Sequence, residues 1–239
     1  MKIECIICGM SVFLLCSCGG DSSHHRVLWE DKHLTNPMYE LLGMTDEYIS
    51  RFDYVTGKPL PDLVECFYPD ETREANRFDE LLTEHARLTG ARSDWRKEIG
   101  PQGHICFYSA QWAGIINSFY VKVDRPTATL DPRIFQKASQ DEMLQFLRGA
   151  YGRYGSKDGQ NFINMANAAY KITTIADVLE KLGCSDIVIY KTPEEYEPGS
   201  YEIRFKPSPR IAEQLQIKDV VLEPGRNSVT DWKVHKRVN

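Results

Sequence analysis

The chain has 239 residues, of which 42% are hydrophobic and 26% charged, and 29 Lys+Arg against 34 Asp+Glu leave a formal net charge of −5. These proportions exclude a disordered tail, a fibrous repeat and a multi-pass membrane protein. The acidic balance argues against a partner held by bulk positive charge, so no nucleic acid is expected.

Met1 to Gly20 read MKIECIICGMSVFLLCSCGG, and Cys5 to Cys16 carry no charge. That run is shorter than the ~20 residues a membrane-spanning helix needs and has the length of a signal-peptide core. Leu15-Cys16-Ser17-Cys18 follows it, then a polar exit at Gly19 to Ser23. The segment resembles the lipobox of bacterial lipoproteins: a leucine, a small residue and then the acylated cysteine. The resemblance implies a signal peptide over residues 1–17, a lipidated Cys18, a tether over 18–35, and membrane attachment through that lipid. The location it implies is the envelope of a Gram-negative bacterium, facing periplasm or cell surface. A rival reading makes Cys5-x-x-Cys8 and Cys16-x-Cys18, with His24 and His25, a thiolate metal site, which would leave Ile6, Ile7, Phe13 and Leu14 in water. The remaining Cys66, Cys106 and Cys184 allow at most one intramolecular disulfide and read as small buried apolar residues.

Asn36-Pro37 has the form of a helix start, and the short helix it begins should end near Gly43. Thr45 is expected to cap another, and Gly57, Pro59 and Pro61 break the chain. Asp70 precedes an amphipathic helix with Ala75, Phe78, Leu81, Leu82 and Leu88 on one side, stopped by Gly90. Ile105, Phe107 and Tyr108 suggest a strand, and the alternation from Ile115 to Val123 a second, with Trp112-Ala113-Gly114 as a wide turn. Pro126 and Pro132 mark a connection. Ser139-Gln140-Asp141-Glu142 forms a capping box before a helix that should fail at Gly152 or Gly155. Asn161 to Ile172 fits helix or strand equally. Thr174-x-x-Asp177 reads as a second capping box, before a helix ending at Gly183. Ile187–Lys191 and Tyr201–Lys206 predict a hairpin, Ser208-Pro209 starts a short helix, and Val220–Leu222 and Val229–Val238 suggest closing strands. No sequence repeat of fixed period is evident. The order of elements indicates an α+β fold, with a helical and two-strand subdomain over 36–125 and an α+β subdomain over 133–239, or one continuous domain.

Phe146 to Gly155 read FLRGAYGRYG. With the later helix, hairpin and Ser208 helix, residues 140–215 resemble one half of the LAGLIDADG homing-endonuclease fold. That family ends this helix with a metal-binding carboxylate before the final glycine, whereas Tyr154 stands at that position here and Gly152 where a second acid often lies. The resemblance therefore implies a catalytically silent module. Arg148, Arg153 and Lys157 beside these glycines read as a solvated basic helix end, because they match neither nucleotide-loop pattern.

His33, His85 and His104 are isolated in sequence; His85 reads as a helix-surface or core-edge residue, and His104 with Cys106 could form a dyad on one strand face. Trp112 and Tyr120 fall among clustered aromatics that would suit a protein or glycan surface. The loop Glu194, Glu195, Tyr196 and Glu197 presents three carboxylates around one ring. The expected function is a lipid-anchored envelope binding protein without cofactor, metal or catalysis, such as an immunity protein. The alternatives are an envelope hydrolase using His104 or His85, and a silent LAGLIDADG-like nucleic-acid-binding module.

Overall fold

A computed structural model describes residues 29–45, 60–122, 128–166, 169–191, 200–221 and 230–232, and they form an α+β fold. Its first half runs α1 (Asn36–Met44), β1 (Leu63–Phe67), α2 (Thr72–Thr89), β2 (Arg96–Ile99), β3 (Ile105–Tyr108) and α3 (Ala110–Ser118). A strand pair, β4 (Tyr120–Lys122) and β5 (Ala128–Leu130), leads into the second half. There α4 (Gln140–Tyr154), β6 (Phe162–Ala166), α5 (Ala169–Lys181), β7 (Ser185–Lys191), β8 (Ser200–Lys206) and α6 (Pro209–Leu215) follow in the same order, and β9 (Thr230–Trp232) adds to β7. The sheets are ordered β1-β3-β2 and β6-β8-β7-β9, all pairs antiparallel, so each half places its third strand beside its first and second. A repeat therefore exists in topology although none is visible in sequence.

Local signals explain most boundaries. Thr35 Oγ1 accepts from the Met38 amide at 3.3 Å with Pro37 in the first turn of α1. The Ser139–Glu142 capping box forms as expected, and Gly90, at φ 72°, closes α2 in the left-handed region that glycine tolerates. Two expectations are corrected. Ile115 to Ser118 belong to α3, not to a strand: Ser109 Oγ caps the helix at the Trp112 amide, and Trp112, Ala113 and Ile116 bury a helical face. Thr174 lies inside α5, which begins at Ala169, and its hydroxyl donates back to the Tyr170 carbonyl at 3.3 Å instead of capping. Helix α1 ends at Met44, beside Gly43 as expected, so that glycine lies within its last turn.

The place of that glycine sets the architecture. A Cβ on Gly43 would lie 2.1 Å from the Phe146 carbonyl oxygen, and one on Gly149 would lie 2.0 Å from that of Glu40. Glu40 and Phe146 each stand three residues before their own glycine, so the contact is reciprocal and relates the halves by a local two-fold. The core continues outward from this pair. Phe78 of α2 packs on Phe67 and Phe107 with ring centroids 5.2 Å apart in each case, and α5 lies against β7 and β8.

Gly43→Ala or Gly149→Ala should destabilise the fold by about 3 kcal/mol or more, since backbone, not a flexible side chain, occupies the space. Gly152→Ala, where nothing lies within 4 Å, should be neutral or stabilise by up to ~1 kcal/mol. Urea midpoints of the three variants check the contrast, and equal effects would remove the close-contact explanation.

Candidate functional site

The last carbonyls of a helix have no partner within it. At the end of α1 they are met by side chains of the second half. Lys171 of α5, fully buried, donates from Nζ to the Gly43 carbonyl at 2.9 Å and to that of Thr45. Arg153 Nη1 donates to the Met44 carbonyl at 2.5 Å, and the Tyr154 hydroxyl donates to the same oxygen at 3.0 Å. Two cations thus sit at the negative end of the helix dipole. Arg153 also reaches β1: Nη2 donates to the Cys66 carbonyl at 2.8 Å, Nη1 lies 3.4 Å from Glu65, and the guanidinium stands 4.4 Å from the Phe67 ring centre. Lys171 lies 5.4 Å from the Tyr154 ring centre, so the tyrosine is enclosed by positive charge.

Each sheet has an outward face set by strand alternation. In the first, register places Arg96 opposite Tyr108, and Glu98 opposite Cys106, which is bonded to Cys66 across β1 and β3. Arg96 lies 5.5 Å from the Tyr108 ring centre, and its charge is shared with Glu98 at 2.7 Å and Asp62 at 3.4 Å. In the second, Arg204 lies 5.3 Å from the Phe162 ring centre and 2.6 Å from Glu202, and Asn164 accepts from Ser200 at 2.9 Å. Arg204 is 5% exposed and donates to the Val221 carbonyl, so the chain after α6 crosses this face. Both outward faces therefore carry an arginine over an aromatic ring with a carboxylate two residues away.

Several expected site residues move. Trp112 is fully buried and donates to the Arg92 carbonyl at 2.9 Å, while Tyr120 is 4% exposed with its hydroxyl 2.6 Å from that of Thr45; both are core, not binding surface. Cys18 and Glu194, Glu195, Tyr196 and Glu197 lie outside the described residues. Cys106 is held in the disulfide, which removes the His104–Cys106 dyad, and His104 packs edge-on against Tyr68. Arg153 is buried and not a solvated helix end. His85 is fully buried, with Nδ1 2.7 Å from Thr35 Oγ1 and Nε2 3.2 Å from His33 Nδ1. Missed at the sequence level were Lys171, Arg153 as a bridge, and Gly43; the matching Leu41-x-Gly43 and Leu147-x-Gly149 are the signal that carried the helix pair. Among the described residues no group of three His, Cys, Asp or Glu is arranged to hold a metal, and no helix is long and apolar enough to cross a membrane.

No family model matches the sequence, and no curated protein matches it. Solved structures do resemble it. A mesophilic variant of the homing endonuclease I-DmoI superposes with a TM-score of 0.53 at 12% identity, covering 78% of this chain and 98% of that one. I-DmoI with DNA and calcium gives 0.52 at 13%, covering 80% and 95%, and an I-DmoI variant with its target DNA and magnesium gives 0.52 at 11%, covering 80% and 100%. At such identity the likeness establishes the fold, and it extends the LAGLIDADG resemblance from one half to both. It also corrects the expectation of a lipid-anchored envelope binding protein with a membrane partner and no nucleic acid: the solved structures that share the architecture are forms of a homing endonuclease, two of the three bound to DNA.

Two outcomes follow from the buried charges. Arg153→Met removes a buried ion-pair partner of Glu65, 1% exposed, and should cost about 3–5 kcal/mol, part of which Glu65→Gln in the same chain should restore in denaturant unfolding. Burial, with His33 adding a smaller effect, lowers the His85 imidazole from 6.5 to about 4. The unfolded chain then binds the extra proton first, so stability present above pH 6.5 should fall as pH drops toward 4, by on the order of 3 kcal/mol. Urea midpoints across that window check this, and a flat profile contradicts it.

Proposed function

We propose that the protein is a LAGLIDADG-like nucleic-acid-binding module that does not cleave its ligand. The observation that carries the reading is the duplicated half built around a glycine-packed helix pair, which gives one molecule two outward sheet faces in a fold shared with DNA-bound neighbours. Arg96 over Tyr108 offers a guanidinium donor and a ring to a nucleic-acid strand. The lack of cleavage rests on electrostatics. Where the family resemblance calls for a metal-binding carboxylate, Tyr154 stands between Arg153 and Lys171, and a divalent cation there would meet two like charges in a buried setting.

Because Glu98 and Asp62 neutralise much of Arg96, binding should depend weakly on salt, with a slope corresponding to roughly one to three phosphate contacts. Fluorescence anisotropy with labelled duplex DNA should give a Kd of about 1–100 µM at low salt. Arg96→Glu should weaken it by about threefold or more. Duplex DNA with magnesium or manganese should stay intact. No measurable binding at low salt would reject the nucleic-acid reading, and metal-dependent cutting would reject the silent one.

A further inference from the structure

A cleft of about 470 Å³ opens between α2, the middle and end of α4, the turn after it and the chain leaving α6, so both halves contribute to it. It is bounded by helices and turns, not by the outward face of either sheet. Five cationic and two acidic side chains line it. The acids are already engaged. Glu40 takes both Nε and Nη2 of Arg77 at 2.8 Å, and Glu74 accepts from Lys157 at 2.8 Å. The side chains of Arg73 and Lys218 are exposed and make no hydrogen bond or ion pair among the described residues, while the Lys218 backbone amide donates to the Gly159 carbonyl at 2.7 Å. Arg148 meets only the neutral amides of Gln145 and Gln214. Three positive charges therefore remain uncompensated around one concavity of a protein whose net charge is −5.

Gly149, Gly152, Gly155 and Gly159 line the floor, and of these Gly152 is the open one, since a Cβ there would meet nothing within 4 Å while backbone oxygens fill the space at the other three. The only aromatic residue of the lining, Tyr151, is 8% exposed and its hydroxyl donates to the Gln160 carbonyl at 2.7 Å, which leaves no ring for stacking a base. Guanidinium forks favour phosphate oxygens in bidentate geometry, and a concave cationic wall concentrates multivalent anions.

We infer that this cleft binds a small, multiply charged phosphate compound, recognised through its phosphates alone. The inference does not rest on the nucleic-acid reading, because none of its residues lies on the outward sheet faces. Isothermal titration of the full chain with tripolyphosphate tests it. Binding should be measurable at low salt, weakened by at least about tenfold in Arg148→Glu/Lys218→Glu and by severalfold in Arg148→Glu alone, and unchanged in Arg87→Glu, the same single charge reversal at the far end of α2. ATP should bind like tripolyphosphate. All the substituted residues are solvent-accessible, and circular dichroism verifies that the variants stay folded. Undetectable binding by the unaltered protein, equal binding by the double variant, an equal loss in Arg87→Glu, or binding of ATP but not tripolyphosphate would each overturn it.

Discussion

Two backbone oxygens, those of Glu40 and Phe146, occupy the volume that a side chain at the facing glycine would need. Everything else in the molecule is arranged around that approach. Helices packed through larger residues keep their axes 8–10 Å apart, whereas glycines facing one another let backbones touch. The two α-β-α-β-β-α units are held at one fixed separation, and the positions of their sheets follow from it. A single methyl group at the junction would therefore displace both halves rather than disturb one site.

Bringing the backbones together has an electrostatic consequence. The end of α1 is buried against the second half, so its free carbonyls cannot turn to water, and unpaired buried acceptors are costly. Lys171 and Arg153 answer that need, and because an isolated buried cation is costlier still, Arg153 is matched by Glu65 and Glu71. The interior of the helix junction is in this way committed to holding the fold. Around Tyr154 the carbonyl oxygens of this junction are engaged by Arg153 and Lys171, which also flank its ring.

Elements specified by local chemistry were legible in the sequence: the Ser139 capping box, the amphipathic α2, the β7–β8 hairpin and the α6 start at Ser208-Pro209. Those decided by distant contacts were not. Ile115 to Val123 alternates like a strand, yet Trp112 and Ile116 bury a helical face that only tertiary packing rewards. The faint single-half resemblance seen around Tyr154 was sound in kind, but its counterpart at Leu41 to Gly43 is too short and too different in sequence to reveal duplication. Overall charge misled for a related reason. A net value of −5 says nothing of how cations are distributed, and Arg96, Arg148 and Arg153 have quite different surroundings.

The separation between the paired glycines also bears on how the chain reaches its native state. Gly43 must find Gly149 across more than a hundred residues, and the entropy of closing such a loop is met before the contact yields anything. The second half, whose strands and helices are neighbours in sequence, can order first and present a finished α4. Helix α1, nine residues long and marginal by itself, then has a surface on which to form. The contact between the two glycines is therefore a long-range one, whose closure entropy is offset only once both helices are in place.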